Sequence, residues 1–282
     1  MANARKIWQC RNRREDVGRK TYVMGILNVT PDSFSDGGKN FTPGDAVTNG
    51  MEMERAGVDI IDVGGESTRP GAEPVGVDEE ISRTEPVIRE LALKTGCLIS
   101  IDTMKAETAR AALDAGAHIV NDVSAGCYSQ DMPQLVREYG AGIVLMHMLG
   151  SPKTMQRRPE YKDLLSEVCG HLRKRMDLFV AAGCDPKQVV LDPGIGFGKS
   201  VEHNLELLRN IERVQELERP VLIGASRKSF LGKLLDIETS EREAASLGVA
   251  AYSIMRGANI VRVHDVKASC HLAKIIDILQ RG

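Results

Sequence analysis

The chain of 282 residues contains no run approaching the ~18 consecutive apolar residues that would span a bilayer, so no membrane contact is expected. Its six cysteines (Cys10, Cys97, Cys127, Cys169, Cys184, Cys270) are widely spaced, with no CxxC pair. That excludes a disulfide framework and a zinc-type cysteine cluster, and it fits a reducing compartment. There is no HExxH, and no HxH follows the first strand, which disfavours a histidine-built zinc hydrolase. The GxxxxGK[ST] spacing of a nucleotide-binding P-loop is absent too. Basic and acidic residues nearly cancel, 37 against 39, for a net charge of −2. No overall field therefore recruits nucleic acid or anionic membrane, although local arginines can still gather around a small anion. The N-terminus is basic (Arg5, Lys6, Arg11, Arg13, Arg14) but lacks a following apolar segment, so it does not read as a secretory signal. Glu15 and Asp16 argue against an organelle transit peptide, and we expect a cytoplasmic protein.

What is present is ordinary in composition, 42% hydrophobic and 27% charged, and regular in pattern. Eight apolar strand candidates recur: Tyr22–Asn28, Val58–Val63, Cys97–Ile101, His118–Asn121, Gly142–Met146, Gln188–Leu191, Pro220–Gly224 and Ile260–Val263. Helical periodicity fills the intervals, for example at Asp78–Lys94, Ala106–Asp114, Lys162–Ala182 and Val201–Glu218. Ala-Gly pairs at 56–57, 115–116 and 182–183 place glycine where a helix ends in a left-handed residue. Eight strand–helix repeats close most simply into an α/β fold of the (β/α)8 TIM-barrel type; an open doubly wound sheet is the alternative. With no linker, repeat or low-complexity tract, residues 21–282 read as one barrel domain. Residues 1–20 form an extension that holds the only tryptophan, Trp8, and is expected to plug the closed end of the barrel as a hairpin.

The strands end in residues that a core would reject. In a parallel barrel those ends share one rim, so chemistry scattered along the chain converges there. Asp102, Asn121 and Asp192 close successive strands and form acceptors plus an amide, a set suited to a flat heterocycle with edge N–H groups. Each of them alone could instead cap the next helix. Arg69, Arg227, Lys228, Arg262 and His264 form a cationic group opposite, with Thr68 and Ser229 as neutral donors, and such a set suits phosphate oxygens. The site thus reads as split, one half for a polar ring and the other for an anion such as pyrophosphate. Gly194–Lys199 is a glycine-rich loop that lets backbone approach a ligand, and Met146 ends a strand where it can touch a ring. His147 reads equally as structural or functional. Neighbouring residues in a strand point opposite ways, which disfavours a His264–Asp265 dyad.

These segments carry a family resemblance. Met24–Gly38 (MGILNVTPDSFSDGG), Asp62–Gly71 (DVGGESTRPG), Ser100–Thr103, Asn121–Asp122, Leu145–Met148, Asp192–Lys199 (DPGIGFGK), Ser226–Ser229 and Arg262–Asp265 resemble, in order, the dihydropteroate synthases of bacterial folate biosynthesis. The resemblance covers nearly the whole chain after about residue 20, and its first two signatures are long enough to be highly specific. It implies a barrel transferase that joins p-aminobenzoate to 6-hydroxymethyl-7,8-dihydropterin pyrophosphate, releasing pyrophosphate. It also implies a pterin site of Asp102, Asn121, Met146, Asp192, Phe197, Gly224 and Lys228. Asn28, Thr68, Arg69, Arg262 and His264 would surround pyrophosphate, with Asn28 as ligand to Mg2+. Phe34, Thr68, Pro70, Lys228 and Ser229 would lie near p-aminobenzoate, and Asp102, Lys228, Arg262 and Asp36 would serve the chemistry. Loops at Thr30–Asn40 and Gly64–Gly76 would act as lids. Sulfonamides would compete with p-aminobenzoate, and the later helices would form a homodimer. A pterin-binding methyltransferase using methyltetrahydrofolate is the nearest competing family. It needs no pyrophosphate site, so the arginine-rich segments count against it.

Overall fold

The apolar runs become eight parallel strands that close on themselves. The computed structural model describes residues 6–30, 42–67, 71–150, 155 and 159–281. A hairpin comes first, β1 (Ile7–Cys10) pairing antiparallel with β2 (Arg13–Asp16). The barrel strands are β3 (Tyr22–Asn28), β4 (Ile60–Gly64), β5 (Leu98–Asp102), β6 (Ile119–Asp122), β7 (Gly142–Met146), β8 (Val189–Asp192), β9 (Leu222–Ile223) and β10 (Ile260–Val263). They neighbour one another in chain order, with β10 between β9 and β3. A parallel bridge between Leu191 and Val221, and a 2.9 Å hydrogen bond from the Leu191 N–H to the Pro220 carbonyl, join β8 to β9. That closure excludes the open doubly wound sheet.

Ten helices among the described residues ring the strands: α1 (Pro43–Arg55), α2 (Val77–Lys94), α3 (Ala106–Asp114), α4 (Met132–Tyr139), α5 (Leu164–Ala181), α6 (Val201–Arg209), α7 (Ile211–Gln215), α8 (Ser229–Leu235), α9 (Glu243–Met255) and α10 (Val266–Arg281). Gly57, Gly116 and Gly183 follow α1, α3 and α5 with φ of 95°, 114° and 98°, the left-handed ends that the Ala-Gly pairs predict. One expected helix, Val201–Glu218, divides. Asn210 takes φ −125° and ψ 39°, and its Nδ2 donates to the Glu206 carbonyl at 2.8 Å. A short amide bonded to the preceding turn competes with the helical ladder.

The two-residue period of the strands sorts the core. Met24, Ile60, Leu98, Ile119, Val144, Val190, Leu222 and Ile260 point inward and pack with Trp8, Cys10, Val17 and Tyr22. Their neighbours Ile61, Val63, Ile99, Ile101, Val120, Ile143, Leu145, Val189 and Leu191 face the helices. Trp8 is fully buried and its Nε1 donates to the Gln188 carbonyl at 2.8 Å, so the hairpin plugs the N-terminal end of the barrel. Following the same inward alternation toward the other end gives Asp62, Ser100, Asp102, Asn121, Asp192 and Arg262 in place of aliphatics. Charge inside a barrel must be paired, and this pairing builds the site.

Candidate active site

Parallel register brings four strand ends into one row: Asn28 pairs with Gly64, Gly64 with Asp102, and Asp102 with Asn121. Met146 pairs with Asp192 further round. Asp102, Asn121 and Asp192 do not cap the helices that follow them; Lys105, Asp131 and Ser200 occupy the N-cap positions of α3, α4 and α6. Their side chains are buried at the rim instead.

The expected split between an acceptor half and a cationic half fails at Arg262. Its Nε donates to Asp62 Oδ2 at 2.6 Å and its Nη2 donates to Asp102 Oδ2 at 2.7 Å. Asn121 Nδ2 donates to the same Asp62 oxygen at 3.0 Å. Two carboxylates this deep need a counter-cation between them, and a planar guanidinium can reach both. The cation therefore sits inside the acceptor cluster. Asp62 Oδ1 and Asp102 Oδ1 are buried with no hydrogen-bond partner among the described residues.

Burial pushes Asp102 up to about 7; Arg262 opposes this and Asp62 adds to it. Burial likewise raises Asp192 to about 6, against the Gly194 N–H that donates to its Oδ1 at 2.7 Å and the positive charges of Lys228 and Lys199. Acceptors with spare lone pairs, held in an enclosed space, suit a ligand edge that presents N–H donors.

An apolar wall faces these groups. Met146 and Phe197 pack with Val123 and Met155, and Met104 and Met148 lie against them. Lys228 Nζ stands 3.9 Å from the centroid of the Phe197 ring, a cation–π contact. Gly196, at φ 83°, makes room for the lysine stem: an added Cβ would lie 2.9 Å from Lys228 Cδ. Gly224 is open toward Arg262 and Asp192, the nearest atoms to an added Cβ being 3.7 and 4.0 Å away.

The other sequence-predicted residues divide. His264 sits beside the pocket, its Nδ1 3.0 Å from Ser226 Oγ. Asp265 accepts from the Ala268 N–H at 3.1 Å, at the start of α10. Arg227 is exposed, with Glu243 and Asp265 within its electrostatic reach. Ser229 is the exposed first residue of α8. Phe34, Asp36, Thr68, Arg69 and Pro70, and with them most of the first loop and the centre of the second, lie outside the described residues.

The sequence reading missed Asp62 and Lys199 as individual site residues. Asp62 carried a signal: it breaks the apolar run Ile60–Val63 on the inward phase set by Ile60. Lys199 carried none, because nothing local says that a lysine ending a glycine-rich loop turns inward.

Comparison with known proteins agrees with this geometry. The family profile described as "Pterin binding enzyme" matches residues 24–264. A dihydropteroate synthase of Synechocystis sp. is 46% identical over 267 residues, covering 94% of this chain and 92% of the relative. A Yersinia pestis dihydropteroate synthase solved with a sulfonamide drug complex superposes with a TM-score of 0.93 at 39% identity, covering 98% of this chain and all of that one (100%). The Xanthomonas albilineans enzyme with 4-aminobenzoic acid gives 0.92 at 40% identity, over 99% of this chain and 100% of that one. The matched family profile, near-complete coverage and this level of identity lead to one assignment: the chain belongs to the dihydropteroate synthase family of pterin-binding transferases.

Proposed function

We propose that the chain condenses 6-hydroxymethyl-7,8-dihydropterin pyrophosphate with p-aminobenzoate to give 7,8-dihydropteroate and pyrophosphate. The observation that carries this reading is the pair of buried, unpartnered carboxylate oxygens on Asp62 and Asp102 beside Asn121 and Asp192. A pterin edge supplies the N–H donors such acceptors need, and Phe197 with Met146 supplies an apolar face for its ring.

The bond to be made is C–N and the bond to be broken is C–O. The amine nitrogen attacks the methylene carbon, the C–O electron pair leaves on pyrophosphate, and the spare amine proton passes to solvent. We infer a dissociative order, in which C–O cleavage runs ahead of C–N formation. The electron-rich dihydropterin carries the methylene cation, and the Asp102 carboxylate favours that positive charge. A normal secondary deuterium isotope effect at the methylene hydrogens is expected; a value of unity would remove the dissociative order.

The residues fit Mg2+ that arrives with the substrate. A Cβ on Gly64 would lie 3.7 Å from Asn28 Oδ1, so that hard oxygen faces the rim, while Asp102 Oδ2 beside it is taken by Arg262. Mg2+ takes one or two protein oxygens and draws its other ligands from water and phosphate. Asn28 would hold it, and the chemistry supplied is neutralisation of charge on the leaving pyrophosphate. Arg262 and His264 serve the same anion from the protein side. Lys228 reaches between pterin and p-aminobenzoate, whose site sulfonamides would contest.

The pH dependence follows from burial. Asp192 titrates near 6 and Asp102 near 7, each raised first by burial. Both accept hydrogen bonds from the pterin while ionised, so affinity is full above these values and falls as pH drops through them. A pH profile of kcat/KM for the pterin substrate should show this acid limb, and a flat profile across that window would contradict the assignment. The direct test combines purified protein, Mg2+, the dihydropterin pyrophosphate and labelled p-aminobenzoate, with labelled dihydropteroate followed chromatographically. Tight pterin binding without product would favour the methyltransferase reading.

We place the enzyme in the cytoplasm as a homodimer. All six cysteines are free, as a reducing compartment allows, and no helix among the described residues is long and apolar enough to cross a membrane. The dimer reading rests on consecutive late helices that expose Leu234 and Leu235 of α8, Tyr252 and Met255 of α9, and Ile275, Ile278 and Leu279 of α10. Sedimentation equilibrium should report twice the chain mass, reduced by Met255→Asp with Ile278→Asp. A parent protein of single-chain mass would refute it.

A further inference from the structure

A buried cation at the end of the glycine-rich loop has a fixed place in the fold but no role in the site as described so far. Lys199 ends the glycine-rich loop after β8 and is only 3% exposed. Three acceptors converge on its Nζ: the Phe197 carbonyl at 2.9 Å, His147 Nδ1 at 3.0 Å and the His147 carbonyl at 3.3 Å. Three acceptors for three N–H bonds is the arrangement of an ammonium, and it requires His147 to present a bare Nδ1. Burial pulls His147 down to about 2, which keeps its ring neutral as that contact demands.

His147 is itself fixed. Its N–H donates to the Asp192 carbonyl at 3.0 Å, and its ring packs edge-on against His171, centroids 5.0 Å apart. Tyr161, tilted against the same ring, donates to the Gly198 carbonyl at 2.8 Å. Lys199 thus ties the end of β7 to the loop that carries Phe197, and Phe197 is the ring beneath Lys228.

We infer that Lys199 is a positioning residue, whose ammonium pins the Gly194–Gly198 loop to His147 and supplies a buried positive charge to Asp192. The inference rests on the pterin reading of Asp192 and Phe197. The charged and titratable groups facing this point are His147 after β7, Asp192 at the end of β8, Lys228 before α8, and His171 on α5. Lys199 and Asp192 each favour the other's charged form, while Lys228 disfavours charge on Lys199. Burial brings Lys199 down to about 7, so below neutrality, where Asp192 titrates, it is a cation.

A role limited to filling space and a role in holding charge predict different outcomes. In Lys199→Met the lower break of the acid limb of pterin affinity, the one set by Asp192, should move up by about one pH unit towards that of Asp102, because Asp192 loses a neighbouring cation. KM for the pterin should rise more than kcat falls. Hydrogen exchange at the Gly196 and Phe197 amides, which donate to Asn204 Oδ1 and the Gly194 carbonyl, should quicken in the ligand-free enzyme. An affinity that drops equally at all pH values, with the limb unmoved, overturns the charge role; unchanged exchange overturns the pinning role. Should Lys199→Met fail to fold, His147→Asn and His147→Leu decide the pinning, since only asparagine keeps a side-chain acceptor for Nζ beside the two backbone carbonyls. Restored exchange protection in the asparagine variant alone supports the pair, and equal behaviour of the two refutes it. The exchange readout needs no ligand. A parent enzyme that binds no pterin would therefore sink the functional reading, while the exchange data still judge the loop.

Discussion

Replacing Arg262 by alanine is expected to abolish turnover and destabilise the barrel together. The guanidinium donates to Asp62 at 2.6 Å and to Asp102 at 2.7 Å, and both carboxylates are buried. Removing it leaves two carboxylates without a counter-cation, and breaking a buried pair in this way costs about 3–5 kcal/mol. The molecule can reduce that penalty by taking up a proton on Asp102, whose carboxyl burial already holds above its ordinary range. A carboxylate whose folded pKa is raised stabilises the fold in acid and loses that contribution as pH rises. The melting temperature of Arg262→Ala should therefore lie nearest the parent in acid and fall away as pH climbs through about 7, the value of Asp102. Activity should drop by about three orders of magnitude, because a charge preorganised for the leaving group is lost with the pterin cluster. Arg262→Lys keeps the charge but cannot bond in two directions at once. It should recover part of the stability and little of the rate. Melting curves over pH with steady-state kinetics on both variants check this; an alanine variant that keeps most of its turnover would remove Arg262 from the chemistry.

The second large effect is expected at Gly194. Its φ is 72°, and an added Cβ would overlap the His147 carbonyl oxygen while lying 3.3 Å from Met146 Cγ. The obstacle is backbone, so rotamer changes give no relief. Moving Gly194 also breaks the 2.7 Å bond from its N–H to Asp192, the main opposition to burial at that carboxylate. Left-handed strain of about 1–2 kcal/mol and overpacking of about 1–3 kcal/mol then act together. Gly194→Ala should melt markedly earlier and lose measurable pterin binding. Gly224→Ala provides the contrast. Its Cβ would meet only ordinary contacts at 3.7 Å and beyond, so stability should hold while the pterin is crowded. Calorimetric melts and pterin titrations on the two variants separate the cases. Equal stability of both would mean that the loop does not approach His147 as described.

Much of this was legible beforehand, for local reasons. Strand and helix periods, glycine at helix ends and the polar residues that stop each apolar run are written in neighbours two to four positions apart. Tyr22–Asn28, Gly142–Met146 and Ile260–Val263 run as the pattern predicts, and the remaining strands differ from it at their ends alone. The broken helix at Asn210 was missed because a side-chain amide bonding its own turn competes with a pattern that continues through it. The loops that carry Phe34, Asp36, Thr68, Arg69 and Pro70 lie outside the described residues, and their assignment still rests on the resemblance.

The sequence by itself determined the family, the barrel and the rim to which the chemistry belongs. Those follow from short-range order and from signatures long enough to be specific. Only the tertiary structure decided which charges meet. Arg262, expected beside the anion, also bonds Asp62 and Asp102, residues 200 and 160 positions away. Lys199 looked like the end of a loop and proved to be buried against His147. Burial makes each of these pairings obligatory, because an enclosed charge must find its partner. Closure of the barrel decides which partner is within reach, and no local spacing encodes it.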